Sequence, residues 1–191
     1  MIAWDAPGIG GSTLSPQQDP GSDYYVDVIR RFGESLAIGR FHLVGSSWGS
    51  VIAACFAVRH PELLLSLTLL SPNRSMGELQ GAEREAALQQ WLSPGRVIGA
   101  PPDVLAGMLT GPNSSDRVRF LAGSLLDAAS LAGFENAVQM MFNTNTLEVA
   151  KHIAVPTLII TGSADQLAPK EQHGEPIHAL IRNSRIEVID G

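Results

Sequence analysis

A five-residue segment, Gly45-Ser46-Ser47-Trp48-Gly49, constrains the fold of this chain more than any other feature. It follows the apolar stretch Phe41–Val44, which predicts a short strand, and it opens Trp48–Arg59, an alanine-rich apolar stretch that predicts a helix. The pattern G-x-S-x-G between a strand and a helix is typical of a strained turn that exposes the serine hydroxyl. Small residues two positions before and after the serine leave room for strand and helix to approach. The sequence therefore predicts Ser47 as a nucleophile, with Gly45 and Gly49 as the glycines of the turn.

The elements predicted around this turn alternate as in a parallel sheet. Further strands are expected over Leu65–Leu70, Val155–Thr161 and Arg185–Ile189, with a helix near Glu175–Ile181 before the last strand. Strand, helix and strand in succession are typical of parallel crossover units. The expected fold class is α/β, a mostly parallel sheet with helices on both faces.

The N-terminal region predicts a strand, a turn and a helix. Met1–Trp4 is short and apolar, and we expect it to be a core strand that runs into a glycine-rich turn at Asp5–Ser12. A helix is expected from about Asp23 to Leu36, with Asp23 as its N-cap and Gly39 beyond its end.

The middle of the chain, from about residue 74 to 147, loses the strand pattern. It consists of helical segments interrupted by prolines and glycines, which predicts a helical lid inserted before the next strand. Within it Val118, Leu121, Leu125 and Ala129 repeat at helical spacing, so we expect one apolar face against either the core or a substrate. The predicted organisation is a core segment 1–73, a lid 74–147 and a second core segment 148–191.

Composition excludes some classes of function and leaves others open. The formal net charge of −6 provides no basic surface for nucleic acid. The apolar stretches are shorter than the ~20 residues that span a bilayer, so we expect no membrane partner. Cys55 is the only cysteine, and we expect a small core residue rather than a nucleophile. No secretion signal is visible and no cofactor or metal motif stands out, so we expect a cytoplasmic, cofactor-free protein, while the oligomeric state stays open.

Four stretches of the sequence together resemble the α/β-hydrolase fold family. The glycine-rich turn is similar to the family's D-x-P-G-x-G-x-S loop, and the stretch before Ser47 is similar to the strand that precedes its nucleophile. A third stretch looks like the end of the helix after the nucleophile, and a fourth is similar to the strand and loop that carry the family's acid. In order along the chain, the four are Asp5–Ser12, Phe41–Val44, Arg59–Glu62 and Ile153–Asp165.

This resemblance implies roles for three residues. Ser47 would attack an acyl carbonyl, Asp165 would orient and stabilise the imidazolium of a histidine, and the backbone N–H of Trp48 would donate to the oxyanion. A serine rather than a carboxylate at the turn implies an acyl-enzyme, and hence ester, lactone or amide-like small molecules as substrates. Dehalogenases and epoxide hydrolases of the family, which use a carboxylate, are disfavoured.

The same resemblance implies that parts of the family's fold lie outside these residues. The family's histidine would follow the last strand, just beyond Ile189–Gly191, and a strand with a second oxyanion donor would precede Met1. We therefore expect a chain truncated at both ends and inactive by itself. An inactive fragment or a binding module on the same fold is the alternative. A proline iminopeptidase is a minor one, because Ser47–Ser50 resembles that group although Asp5–Gly8 departs from its D-Q-R-G pattern.

Other candidate side chains have structural roles as their first interpretation. His42, His60 and His152 adjoin predicted strand or helix ends and are expected to be structural. His173 and His178 follow the acid and could approach it, but we expect neither to replace the missing base. For four apolar residues of the insertion, core packing is favoured over an acyl pocket: Met108, Met140, Met141 and Phe142.

Overall fold

The fold centres on a four-stranded parallel sheet. The computed structural model describes residues 1–94, 97, 99–124 and 129–190. Within them the strands lie in the order in which they occur along the chain, each hydrogen bonded in parallel to the next. The predicted α/β class, a parallel sheet flanked by helices, is confirmed. The strands are β1 (Phe41–Ser46), β2 (Leu64–Leu70), β3 (Thr157–Gly162) and β4 (Ser184–Ile189).

Helices connect consecutive strands, as parallel pairing requires. One helix joins β1 to β2, one joins β3 to β4, and the connection between β2 and β3 contains α3 to α7. We refer to this connection, residues 71–156, as the helical insertion. The helices are α1 (Ser22–Ser35), α2 (Trp48–Arg59), α3 (Gly81–Leu92), α4 (Pro102–Leu109), α5 (Asp116–Gly123), α6 (Leu131–Phe142), α7 (Thr146–Ala150) and α8 (Gly174–Leu180).

The core lies between the sheet and the helix that follows β1. Leu67, Leu69 and Ile159 project from neighbouring strands and are completely buried. Helix α2 packs on β1 and β2 and is buried on nearly every side, which explains its apolar, small-residue sequence. Cys55 lies in this core, as predicted, and burial raises the pKa of its thiol. The helix behind the serine turn is thus enclosed on nearly every side.

The N-terminal predictions need correction. Residues 1–4 form no strand, and Met1 and Ile2 are exposed, because this segment pairs with no strand of the described sheet. Helix α1 begins one residue before the expected start, with Gly21 rather than Asp23 as N-cap. The carboxylate of Asp23 forms an ion pair with Arg59 instead of capping the helix. The turn after α1 uses Ala37, with φ +50°, rather than Gly39.

The helical repeat predicted within the insertion is correct only as far as α5, and its apolar face is not the one that packs on the core. Val118 and Leu121 lie on α5, but about half of each is exposed, so they do not pack on the core. Ala129 forms an isolated antiparallel bridge to Ile9 instead of continuing the helix, and Leu125 lies outside the described residues. Helix α6 carries the buried face instead, since Met140 and Phe142 are fully buried in the core.

None of the helices in the described residues has the length and the apolar composition that crossing a bilayer requires.

Candidate active site

Ser47 occupies a strained turn between β1 and α2. Its backbone has φ +48° and ψ −117°, a region that costs a residue with a side chain roughly 1–3 kcal/mol. Two hydrogen bonds hold it there: the Ser47 N–H donates to the Leu70 carbonyl at 2.9 Å, and the Ser47 carbonyl accepts from the Ser50 N–H at 2.9 Å. The Ser47 residue is exposed. The turn therefore presents a hydroxyl at the carboxyl end of the sheet and at the N-terminus of a helix.

The two glycines of the motif differ in their surroundings. A Cβ added to Gly45 would lie 2.4 Å from the Gly49 carbonyl oxygen and 2.7 Å from the Ala53 Cβ, so strand and helix are in contact at this point. A Cβ added to Gly49 would meet no atom within 4 Å. The close approach that the motif predicts thus requires glycine at position 45, whereas the space beside Gly49 is open.

A buried serine that the sequence analysis overlooked supports the turn. Ser50 donates its Oγ proton to the Ser47 carbonyl at 2.5 Å and accepts the Asn73 N–H at 3.0 Å. Ser50 is 1% exposed, and Asn73 lies in the connection that leaves β2. The serine turn is therefore bonded to the beginning of the helical insertion. The place of Ser50 in the sequence could have indicated this role, because a serine in the first turn of a helix can hydrogen bond to the backbone just before the helix.

Asp165 lies in the loop after β3, at the same edge of the sheet as Ser47. Its Oδ1 accepts the N–H groups of Leu167 and Ala168 at 3.0 and 2.8 Å, and its own N–H donates to the Gly162 carbonyl. The carboxyl ends of parallel strands share one edge, and β2 separates β1 from β3. Two strand spacings amount to roughly 10 Å, a gap that a histidine side chain between the two groups could bridge. The loop itself holds one oxygen of the carboxylate.

Four of the five histidine rings have hydrogen-bond partners away from the serine and the carboxylate. In the described residues, no histidine ring hydrogen bonds to Ser47 or Asp165. Three rings bond to neighbouring polar groups: His42 to Ser66 Oγ, His60 to Glu62 and His178 to Ser184 Oγ.

His173 is the histidine whose ionisation the Asp165 charge affects. Its Nδ1 accepts the Arg74 N–H at 3.2 Å. Burial lowers the pKa of the His173 imidazole, the Arg74 guanidinium lowers this pKa further, and the Asp165 carboxylate opposes both effects.

Trp48 is the first residue of α2. Its backbone N–H therefore has no acceptor within the helix and lies at the positive end of the helix dipole, close to the serine. The indole packs edge-on against Tyr25, with ring centroids 5.3 Å apart, which anchors the turn in the core. Burial raises the pKa of the Tyr25 hydroxyl to about 12. The site thus contains one preorganised donor of the kind that stabilises an oxyanion.

No cluster of three or more histidine, cysteine, aspartate or glutamate side chains suited to a metal ion occurs in the part of the chain that the structure describes.

A strained serine after one strand of a parallel sheet and a carboxylate after the next strand but one define the nucleophile-elbow class of α/β proteins. The family model described as alpha/beta hydrolase fold matches residues 1–106, more than half of the chain. The chain belongs to this family.

Several named proteins are similar in sequence to the whole chain or to most of it. Monoacylglycerol lipase ABHD6 of Bos taurus is 31% identical over 218 residues, which cover all of this chain and 60% of that protein. Poly(3-hydroxyalkanoate) depolymerase of Ectopseudomonas oleovorans is 25% identical over 175 residues, 88% of this chain and 60% of that protein. Pyrrolizixenacetamide deacetylase of Xenorhabdus hominickii is 23% identical over 155 residues, 80% of this chain and 58% of that protein. The chain spans about 60% of the length of these relatives.

Solved structures share the fold at low sequence identity. A hydrolase from Pseudomonas aeruginosa PA01 superposes with a TM-score of 0.78 at 22% identity, over 97% of this chain and 69% of that chain. A thermophilic esterase from Thermogutta terrifontis gives a TM-score of 0.78 at 20% identity, with the same coverage of 97% and 69%. At this identity the likeness shows the fold.

Proposed function

We propose that the protein to which this chain belongs is a serine hydrolase that cleaves ester, lactone or amide-like small molecules through an acyl-enzyme at Ser47. One observation carries the proposal: the backbone of Ser47 is held at φ +48° and ψ −117° with its residue exposed at the start of a helix. Such strain persists only where the surrounding structure enforces it, and it is concentrated at functional positions. Ser71 and Ser75 also have positive φ but are not exposed, so it is the combination of strain, exposure and a helix N-terminus that supports a reactive role for Ser47.

The other proposed roles follow from the positions of two groups. The Trp48 N–H stabilises the oxyanion, and Asp165 orients and stabilises the protonated base. Asp165 uses its Oδ1 for two backbone N–H groups, which leaves Oδ2 as the oxygen for an imidazole. The names of the relatives, a lipase and a deacetylase, fit acyl transfer to a serine.

The proposed base is a histidine other than the five in this sequence. The Nδ1 atoms of His173 and His178 are both occupied, by the Arg74 N–H and by Ser184 Oγ. Without a base, a triad hydrolase is expected to lose on the order of a millionfold in turnover. We therefore propose that these 191 residues by themselves transfer acyl groups very slowly.

We further propose that residues 74–147 act as a lid over the serine, between core segments 1–73 and 148–191. Hydrogen bonds join the two ends of this segment, since Ser75 Oγ accepts the Thr146 N–H at 3.0 Å. A helical segment whose two ends meet beside the sheet edge, and whose α5 face is half exposed, suits a substrate cover. We also propose a cytoplasmic location, with which a single cysteine that can form no disulfide within the chain is consistent.

The experiment measures covalent labelling of the 191-residue chain by a fluorophosphonate. Ser47 Oγ attacks phosphorus, fluoride leaves, and the serine proton passes to a base, so each adduct is visible by intact-mass spectrometry. Added imidazole replaces the missing base. We expect Ser47 to be labelled slowly without imidazole and at least about tenfold faster with it, a conservative part of what a general base contributes.

Two variants make the assignment specific. Ser47→Ala abolishes the adduct, whereas Ser46→Ala, at an exposed neighbouring serine in ordinary strand conformation, leaves it unchanged. Labelling that survives in Ser47→Ala, or that imidazole does not accelerate, contradicts the proposal. It would favour the alternative, a binding module on the same fold. The minor iminopeptidase alternative draws no support from the lipase, depolymerase and deacetylase named above.

A further inference from the structure

Arg74 and Ser75, shortly after β2, form a joint that holds the first residues of the helical insertion against its residues 144 and 146. Ser75 is 2% exposed and has φ +61°, and its Oγ bonds to the Thr144 carbonyl and to the Thr146 N–H. The Arg74 carbonyl also accepts the Thr146 N–H, at 3.3 Å. These hydrogen bonds hold together residues about 70 positions apart in sequence. Thr146 begins α7, the helix that leads into β3.

His173 connects this joint to the loop that carries Asp165. Its Nδ1 accepts the Arg74 N–H at 3.2 Å, across 99 residues of sequence. The His173 N–H in turn donates to the Pro169 carbonyl at 3.0 Å, which closes the loop after β3. In the same loop, Asp165 accepts the Ala168 N–H at 2.8 Å. A short series of hydrogen bonds therefore links the carboxylate, the imidazole and the base of the insertion.

This arrangement requires a neutral imidazole. A ring nitrogen can accept a hydrogen bond only when it carries no proton, and in the protonated ring both nitrogens are donors. Two charged groups affect the half-buried ring from neighbouring segments, the Arg74 guanidinium and the Asp165 carboxylate. The nearby cation in its own segment, Lys170, is paired with Glu171 and Glu175. The effects of burial and of Arg74 on the His173 pKa outweigh that of Asp165, so the pKa is lowered and the neutral ring, which can accept the Arg74 N–H, is favoured.

We propose that His173 is a positioning residue, whose neutral Nδ1 holds the Asp165 loop against Arg74 at the joint of the insertion and whose protonation releases it. Its effect on the reaction rests on the proposed function of Ser47 and Asp165. Protonation replaces the acceptor by an N–H that faces another N–H and adds a positive charge beside Arg74. The acid loop and the joint then separate, so the site loses its alignment at acid pH.

The first test measures hydrogen exchange of the Arg74 backbone amide by NMR from about pH 8 down to about pH 4, because the lowered pKa of His173 moves its titration to more acid pH than that of a free histidine. After correction for the intrinsic pH dependence of exchange, we expect the protection of Arg74 to fall about tenfold as His173 is protonated, the effect of one hydrogen bond. His173→Asn supplies an amide oxygen near the position of Nδ1, and this side chain does not titrate. In that variant the protection of the Arg74 amide should therefore be constant across the pH range.

His178→Asn is the matched control. His178 lies five residues further along, is also half-buried and also bonds through Nδ1, but to Ser184 rather than to the joint. The pH dependence at Arg74 is expected to persist in this variant. The proposal is overturned if protection of the Arg74 amide does not change with pH in the unaltered chain, or if it changes equally in His173→Asn. Because the unaltered chain carries the main comparison, a variant that fails to fold does not remove the test.

The second test separates this proposal from the proposed function. Exchange at Arg74 does not require a reactive serine, so Ser47→Ala is expected to keep the same pH dependence. An absence of labelling at Ser47 with the exchange result intact refutes the hydrolase alone. If Ser47 is labelled, the imidazole-assisted rate should fall more steeply towards acid pH in the unaltered chain than in His173→Asn. Identical pH profiles in the two would overturn the positioning role.

Discussion

Replacing Gly45 by alanine should destabilise the chain, whereas the same change at Gly49 should not. The motif treats the two glycines alike, but their surroundings differ. The new Cβ at position 45 would lie 2.4 Å from a backbone oxygen and 2.7 Å from the Ala53 Cβ. Neither atom belongs to a flexible side chain, so strand and helix must separate to admit it. At position 49 the nearest atoms lie beyond 4 Å.

The expected magnitudes follow from these contacts. Overpacking a close contact costs about 1–3 kcal/mol, and a contact with a backbone carbonyl and a Cβ, neither of which can rotate away, belongs at the upper end, about 3 kcal/mol. Gly49 lies in the first turn of α2, where alanine is the better helix former by up to about 1 kcal/mol. The two variants should therefore differ by roughly 3–4 kcal/mol. For a chain of this size the loss at Gly45 corresponds to a fall in Tm of about 6–12 °C.

The assay is urea unfolding of the original chain and both variants, followed by tryptophan fluorescence, since Trp48 adjoins the turn. Equal midpoints for Gly45→Ala and Gly49→Ala would refute the reasoning, because the close approach of β1 and α2 would then not depend on position 45. A chain without a cooperative transition would refute it more deeply, since these 191 residues would then have no packed core to perturb.

Three further predictions concern the edge of the sheet. Ser47→Gly should raise stability by about 1 kcal/mol in urea unfolding, because glycine tolerates the strained φ, whereas Ser46→Gly should lower it. Asp165→Asn keeps the Oδ1 acceptor, so its free energy of unfolding should stay within about 0.5 kcal/mol of that of the original chain, whereas Asp165→Ala should lose about 1–2 kcal/mol. Both variants should be labelled more slowly than the original chain when imidazole is bound at the site. The pKa of His173 is lower in the folded state than the unfolded value of about 6.5. The contribution of His173 to stability is therefore complete above about pH 6.5 and is lost as the pH falls from there through the folded-state pKa. In urea unfolding, the midpoint should fall less with decreasing pH in His173→Asn than in the original chain.

Much of the sheet could be predicted because local sequence determines it. Three of the four strands, β1, β2 and β4, begin within one residue of the expected position, and α2 has the predicted bounds. Their apolar runs and the glycine–serine turn are signals read over a few residues. The parallel direction of the strands could be predicted as well, because alternating strands and helices indicate crossover connections, whereas the order of the strands is a finding of the structure.

What could not be predicted depends on contacts between distant segments. Met1–Trp4 has a strand-like composition, but strand formation depends on a hydrogen-bonded neighbour, which local sequence does not report. Asp23 resembles an N-cap, yet its carboxylate pairs with Arg59 of another helix. The bond from Arg74 to His173 spans 99 residues, and no spacing rule relates the two. The supporting residues of the site are therefore visible only in three dimensions.

The carboxyl edge of the sheet explains how the strain at Ser47 is maintained. Three residues beyond the ends of strands each donate an N–H to the next strand: Ser47 to Leu70, Ser71 to Ile160 and Ser163 to Ile189. Ser71 shares the positive φ of Ser47, at +39°. The two residues with positive φ, Ser47 and Ser71, each cost about 1–3 kcal/mol, a large share of the 5–15 kcal/mol that stabilises a typical domain. Since the neighbouring strand supplies each acceptor, the backbone geometry of Ser47 depends on the pairing of the whole sheet. A variant that loosens β3 or β4 is therefore expected to alter the Ser47 backbone without contacting it.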